Sequence, residues 1–123
     1  MPTLSLSLLP APESVRTARD RLRELLDSWA TEEKRQTIVL LLSEVVTNAV
    51  RHAPGTVHIT VTLFADRVHA RVRDENPRTP QPRAPDETGG RGIQLLQRLA
   101  TRWGVDQHPG DGKTVWFEVA KAD

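Results

Sequence analysis

Apolar and polar residues alternate from Thr3 to Leu9, with Leu4, Leu6 and Leu8 set against Ser5 and Ser7. That period of two predicts a half-buried strand, ended by Pro10. The period then lengthens. Val15, Ala18, Leu22, Leu25, Leu26 and Trp29 recur at three- and four-residue spacing, predicting an amphipathic helix from Glu13 to about Trp29. Thr31 suits a helix N-cap, and Glu32 and Glu33 suit the positive end of the next helix dipole. That helix is expected to run to His52 or Ala53, where Pro54-Gly55 stops it. Its middle, Ile38 to Leu42, is apolar nearly all round and predicts the central helix of the core.

Strict alternation returns twice. Val57, Ile59, Val61 and Leu63 share one face, and after a tight turn near Ala65-Asp66, Val68, Ala70 and Val72 do the same. The pattern predicts a hairpin with one buried face and one wet, basic face carrying Arg67, Arg71 and Arg73. From Glu75 to Thr88 the chain is polar, Pro-rich and without period, as expected of a functional loop. Gly89-Gly90-Arg91-Gly92 leads into a third helix, about Ile93 to Arg102, and Trp103–Gln107 with Thr114–Val119 predict a last hairpin. The fold class expected is α+β: one domain over residues 1–123, a two-layer sandwich with three helices on one face of a mainly antiparallel mixed sheet of about five strands.

Composition narrows the chemistry. There is no cysteine, which excludes disulfide scaffolds, zinc-thiolate sites and cysteine nucleophiles. Seventeen basic against sixteen acidic residues give a net charge of +1, so no global field favours nucleic acid or an anionic membrane. The longest apolar run, Ile38 to Leu42, is far short of a membrane span, and the N-terminus lacks the basic start of a signal peptide, so a cytoplasmic protein is expected. Gly112-Lys113-Thr114 imitates the end of a P-loop, but the glycine required five positions earlier is Gln107 and a strand follows instead of a helix. His58 and His69 are placed to face each other across the wet side of the first hairpin, an adventitious metal site at most.

Three features break the pattern. Glu44 follows the apolar run of the central helix, and Asn48, four residues on, projects from the same side. A carboxylate and an amide on the flank of a core helix need polar company. Taken alone, Glu44 is read as easily as an arginine partner or a solvated side chain. Asp74 continues the buried phase of Val68, Ala70 and Val72, where a carboxylate is out of place unless the strand has ended and it caps a turn. Gly90-Arg91-Gly92 opens a helix, where glycine permits close backbone approach and free N–H groups favour phosphate.

In order along the chain, these segments resemble the GHKL (Bergerat-fold) ATPase family, and most of all its anti-sigma-factor serine/threonine kinase branch. Glu44 to Ala53 is similar to the family's N-box, Asp74-Glu75-Asn76-Pro77 to its first glycine box and Gly90-Arg91-Gly92-Ile93 to its second. The resemblance implies that Asn48 holds a Mg²⁺ ion between ATP phosphates and that Glu44 is the catalytic base. It implies that Asp74 accepts a hydrogen bond from the adenine amino group. Arg51 takes the place of a basic residue that meets phosphate, and Asn76, Gly90, Arg91, Gly92 and Ile93 belong to the nucleotide-binding segments. Thr114 lies where the family has a threonine lining the adenine pocket, and residues 75–89 would be the ATP lid. One departure is visible: Asn76 stands where the first box has glycine.

The resemblance further implies a protein kinase that uses Mg-ATP to phosphorylate a STAS-type anti-sigma-factor antagonist, with a sigma factor as a second partner. A homodimer through the first strand and helix also follows from it, and direct nucleic-acid or membrane binding does not. An ATP-binding or purely interacting regulator with weak or no kinase activity is the alternative, favoured by Asn76.

Overall fold

The computed structural model describes residues 1–52, 55–75 and 92–122. The elements follow in the order β1 (Thr3–Leu8), α1 (Pro12–Leu25), α2 (Glu32–His52), β2 (Val57–Leu63), β3 (Arg67–Asp74), α3 (Gly92–Leu99), β4 (Arg102–Gln107) and β5 (Lys113–Ala120). The strands form one sheet in the order β1-β2-β3-β5-β4. Among the described residues all four pairings are antiparallel, where a mainly antiparallel mixed sheet is expected. The match to an α+β two-layer sandwich is otherwise close.

Local chemistry explains where the elements start and stop. The Lys34 N–H donates to Thr31 Oγ1 at 3.1 Å, the N-cap bond that the sequence calls for. Helix α1 ends earlier than its apolar period, at Leu25. The chain then turns through Ser28 and Ala30, both at positive φ. The Arg35 guanidinium donates to the carbonyls of Trp29 and Ala30 at 3.1 and 2.9 Å, satisfying backbone acceptors that a longer helix would have used. Leu26 and Trp29 still reach the core from this turn, so the apolar period outlasts the helix. The β2–β3 hairpin closes on Ala65-Asp66, with Leu63 opposite Val68 and the Phe64 N–H on the Arg67 carbonyl.

The core lies between the helices and one face of the sheet. Ala18, Leu22 and Leu26 meet Ile38, Leu41, Leu42, Val45, Val46 and Ala49, and below them lie Val57, Ile59, Val61, Val68, Ala70, Val72, Val115, Phe117 and Val119. Leu40 alone of the central apolar run is exposed, because α2 turns that flank toward the α1 groove. Among the described residues, no helix covers the other face of the sheet. It presents Arg71 and Arg73, both exposed, beside Arg67, His69, Trp116 and Glu118.

One expectation about that open face changes. His58 lies opposite Arg73 and His69 opposite Thr62, so the two histidines do not face each other. His58 Nδ1 instead meets Ser7 Oγ at 3.0 Å, and His69 Nδ1 meets Glu118 Oε2 at 2.8 Å. Among the described residues, no three His, Asp or Glu side chains gather as metal ligands would.

Candidate functional site

Strand β3 delivers Asp74 to the site. Its register carries Val68, Ala70, Val72 and Asp74 onto the helix-covered face, and Asp74 is 3% exposed. A carboxylate so placed needs compensation. Lys113, directly opposite on β5, supplies it: its Nζ lies 3.1 Å from Asp74 Oδ1, and its side chain is also buried. The start of β5 is held tightly against the end of β3. Gly112 has φ +89°, and a Cβ there would lie 2.0 Å from the Asp74 carbonyl oxygen. Glycine is therefore required at 112 on two grounds, backbone angle and space.

Lys113 belongs to none of the motifs singled out in the sequence once the P-loop likeness fails. The signal was present. Lys113 falls in phase with Val115, Phe117 and Val119, so alternation alone places an ammonium in the buried row. The same alternation puts Thr114 on the other face, opposite the exposed Arg73. The Thr114 hydroxyl is engaged by His108 Nε2 at 2.8 Å. The structure therefore brings Lys113, and not Thr114, onto the face that Asp74 occupies.

Helix α2 delivers Glu44 and Asn48, one turn apart and both half-buried. A Cβ built on Gly92 would stand 2.6 Å from Asn48 Nδ2 and 3.7 Å from the Glu44 carbonyl oxygen. Any larger residue at 92 would push the amide aside. Glycine thus lets the N-terminus of α3 sit directly against Asn48. Ile93, the next residue, packs into the core and anchors that contact. Asn48 offers an amide oxygen and Glu44 a carboxylate, both hard ligands of the kind Mg²⁺ takes one or two at a time, with water and phosphate completing the shell. The donor set fits a Mg-nucleotide, and Asp74, an acceptor in a buried row, fits the amino edge of a base.

Glu44 also borders a groove of about 580 Å³ between α1 and α2, with Arg19, Arg23 and Arg35 among its walls. A second groove of about 730 Å³ adjoins it and is lined by Arg16, Arg19 and Arg51. Arg51 is exposed and shares Thr47's flank of α2, so it belongs to this α1-side groove. Asn76, Gly90 and Arg91, and the rest of the expected lid after Glu75, lie outside the described residues.

A second buried carboxylate lies elsewhere. Glu118, on the open face of the sheet, is 7% exposed and receives Arg67 Nε at 3.2 Å and His69 Nδ1 at 2.8 Å. Burial pushes its pKa up, but hydrogen bonds from His69 and Arg67, together with the charge of both, outweigh burial and hold it below the usual carboxylate value.

The sequence profile of the histidine kinase-like ATPase domain matches residues 8–119. An uncharacterized protein of Streptomyces coelicolor is 36% identical over 87 residues, covering 64% of this chain and 81% of that protein. The crystal structure of the RsbU and RsbW domains of Rv1364c from Mycobacterium tuberculosis superposes with a TM-score of 0.77 at 24% identity, a likeness of fold over 97% of this chain. The present chain spans 32% of that longer one. A blue-light activated histidine kinase of Erythrobacter litoralis matches with a TM-score of 0.56 at 26% identity, over 73% of this chain and 31% of its own length.

Proposed function

The chain belongs to the histidine kinase-like ATPase family, and from that premise we propose that it is an Mg-ATP-dependent protein kinase of the anti-sigma-factor type. Its substrate is a serine or threonine hydroxyl on a small STAS-type antagonist protein. A sigma factor as second partner, a homodimer through β1 and α1, and a cytoplasmic location belong to the same proposal. Among the described residues, no helix is long and apolar enough to cross a membrane.

The observation that carries the reading is the seating of Asn48 against Gly92. It sets the polar flank of α2, with Glu44 one turn away, at the N-terminus of α3. Helix N-termini favour phosphate through free N–H groups and partial positive charge. In the proposed reaction, Asp74 accepts from the amino group of the base and orients the nucleotide. Asn48 holds the divalent cation by its amide oxygen, and that cation, when bound, offsets phosphate charge. Glu44 takes the proton of the attacking hydroxyl as the new O–P bond forms to the γ-phosphorus and the bond to the β–γ bridging oxygen breaks, releasing ADP.

The test is transfer of γ-labelled phosphate from ATP to a STAS-type antagonist, paired with calorimetric titration of ADP and Mg²⁺. Wild type should bind and transfer, Glu44→Gln should bind without transfer, and Asn48→Ala should lose the Mg²⁺ dependence of binding. Binding in wild type without transfer to any antagonist would leave the interacting-regulator alternative that Asn76 favours.

A further inference from the structure

We propose that the outer edge of the sheet at β4 is a self-pairing surface. Its occupant is the β4 strand of a second copy of this chain, related by a two-fold axis through Gly104. The inference is independent of the nucleotide reading, and it concerns the edge opposite β1.

Strand β4 ends the order β1-β2-β3-β5-β4, so among the described residues it has a neighbouring strand on one side only. The His108 N–H donates to the Gly112 carbonyl at 2.8 Å, one step beyond the Gln107–Lys113 pair of the β4–β5 register. In an antiparallel ladder only every second residue bonds to a given neighbour. Counting back by twos, Asp106, Gly104 and Arg102 bond toward β5, and the backbone groups of Val105 and Trp103 point out to the edge. An edge of this kind is a template for another strand. The side chains there are also incompletely covered. Trp103 and Val105 are only partly buried on the helix-covered face, and Leu99, at the end of α3 just before β4, is 41% exposed.

The charge pattern selects the second copy and a single register. Arg102 and Asp106 are both exposed and stand two residues either side of Gly104. Two antiparallel copies that pair through their outward backbone groups can centre on Trp103, Gly104 or Val105. Centring on Gly104 sets Arg102 of each copy opposite Asp106 of the other, and Trp103 opposite Val105. Both are favourable cross-strand pairs, opposite charges on one face and an aromatic with a β-branched residue on the other. Centring on Trp103 puts Arg102 opposite Gly104, and centring on Val105 puts it opposite His108, so neither pairs the charges. On the axis the two Gly104 residues meet without hydrogen bonds, where strands come closest. Each glycine is already covered by its own Trp116, whose Nε1 would lie 2.8 Å from a Cβ at 104. The contacts of Arg102, a 3.6 Å approach to Glu118 and a place over the Trp116 ring, leave its side chain 71% exposed and able to turn to the edge. Charges on an edge commonly keep copies apart. Such a guard carries one sign, whereas two opposite signs placed symmetrically about Gly104 attract a second copy. That self-complementarity is what a closed two-fold dimer requires.

The test is sedimentation equilibrium of the full chain over a range of concentrations at low ionic strength. Wild type should associate below ~1 mM. Asp106→Arg and Arg102→Asp each turn both attractive pairs into repulsive ones, and each should raise the dissociation constant ~10-fold or more. An equimolar mixture of the two variants should recover wild-type association as a heterodimer, because each copy then meets the opposite charge twice. Val105→Pro removes an N–H that β5 does not use, and should abolish the pairing while leaving β4 in the sheet. Association through β1 and α1 is indifferent to all three substitutions and to mixing, so wild-type association that none of them changes overturns the proposal. A mixture of the folded single variants, checked by circular dichroism, that associates no better than either alone overturns it too. A wild type that stays monomeric at ~1 mM also overturns it, and leaves the edge to a strand of another protein.

Discussion

Two carboxylates are buried in adjacent strands, Asp74 at 3% exposure and Glu118 at 7%, yet they stand on opposite faces of the sheet and do different work. Glu118 lies on the open face, which no helix covers among the described residues. Arg67 and His69 bond to it, and Arg102 approaches to 3.6 Å. His69 in turn stacks on Trp116, with ring centroids 5.7 Å apart. This is a surface carboxylate buried by the side chains it has gathered. Asp74 lies on the helix-covered face, in a row of valine and alanine, where its partner Lys113 is itself nearly sealed from water. Burial alone therefore does not mark a site. What separates the two is the phase of the strand: one acid is where charge belongs and drew partners to it, while the other is where charge is out of place.

The comparison can be broken by substitution, and the largest effect should come on the side of the sheet that the helices cover. Glu44→Gln should lower phosphoryl transfer by ~10²–10⁴-fold with ADP affinity unchanged, the loss expected of a general base. Equal transfer rates in the two proteins would remove Glu44 from the chemistry. Next, Lys113→Met should cost ~3–5 kcal/mol of stability, because it strands a buried carboxylate, and the double variant Asp74→Asn with Lys113→Met should recover much of that loss. Urea unfolding of the three proteins measures both.

Third, Asp74→Asn should weaken nucleotide binding by ~1–3 kcal/mol, the usual effect of leaving a buried polar group mismatched. Glu118→Gln should leave that affinity alone and act on stability in acid instead. The folded pKa of Glu118 is depressed, so its stabilisation is fully present above the unfolded-state value and is lost as pH falls through the lower folded one. The acid limb of the melting-temperature profile should therefore be steeper in wild type than in Glu118→Gln. An identical limb would mean that the Arg67 and His69 contacts contribute no net stability. The smallest effect belongs to Arg71 on the open face, where Arg71→Ser should change stability by no more than ~0.5 kcal/mol.

Much of the molecule was legible in the residues. Alternation in Val57–Leu63 and Val68–Val72 specified both strands and their buried faces, because one wrong register would expose every valine. Thr31 gave the start of α2, because an N-cap bond is local. The end of α1 was not legible, because Arg35, from the following helix, caps the turn at Trp29 and Ala30. Thr114 and Lys113 show a finer limit. Motif likeness pointed to the threonine, but the strand's period of two put the lysine on the site's face.

The sequence by itself determined the elements, the buried row and the misplaced carboxylate at 74, since periodicity and charge are properties of neighbours along the chain. Only the tertiary structure decided that β5 inserts between β3 and β4, and so set Lys113 against Asp74. It alone closed the helix α3 start onto Asn48 and buried Glu118 beneath arginine and histidine. Those are contacts between residues far apart in the chain, fixed by which faces must be hidden from water at the same time.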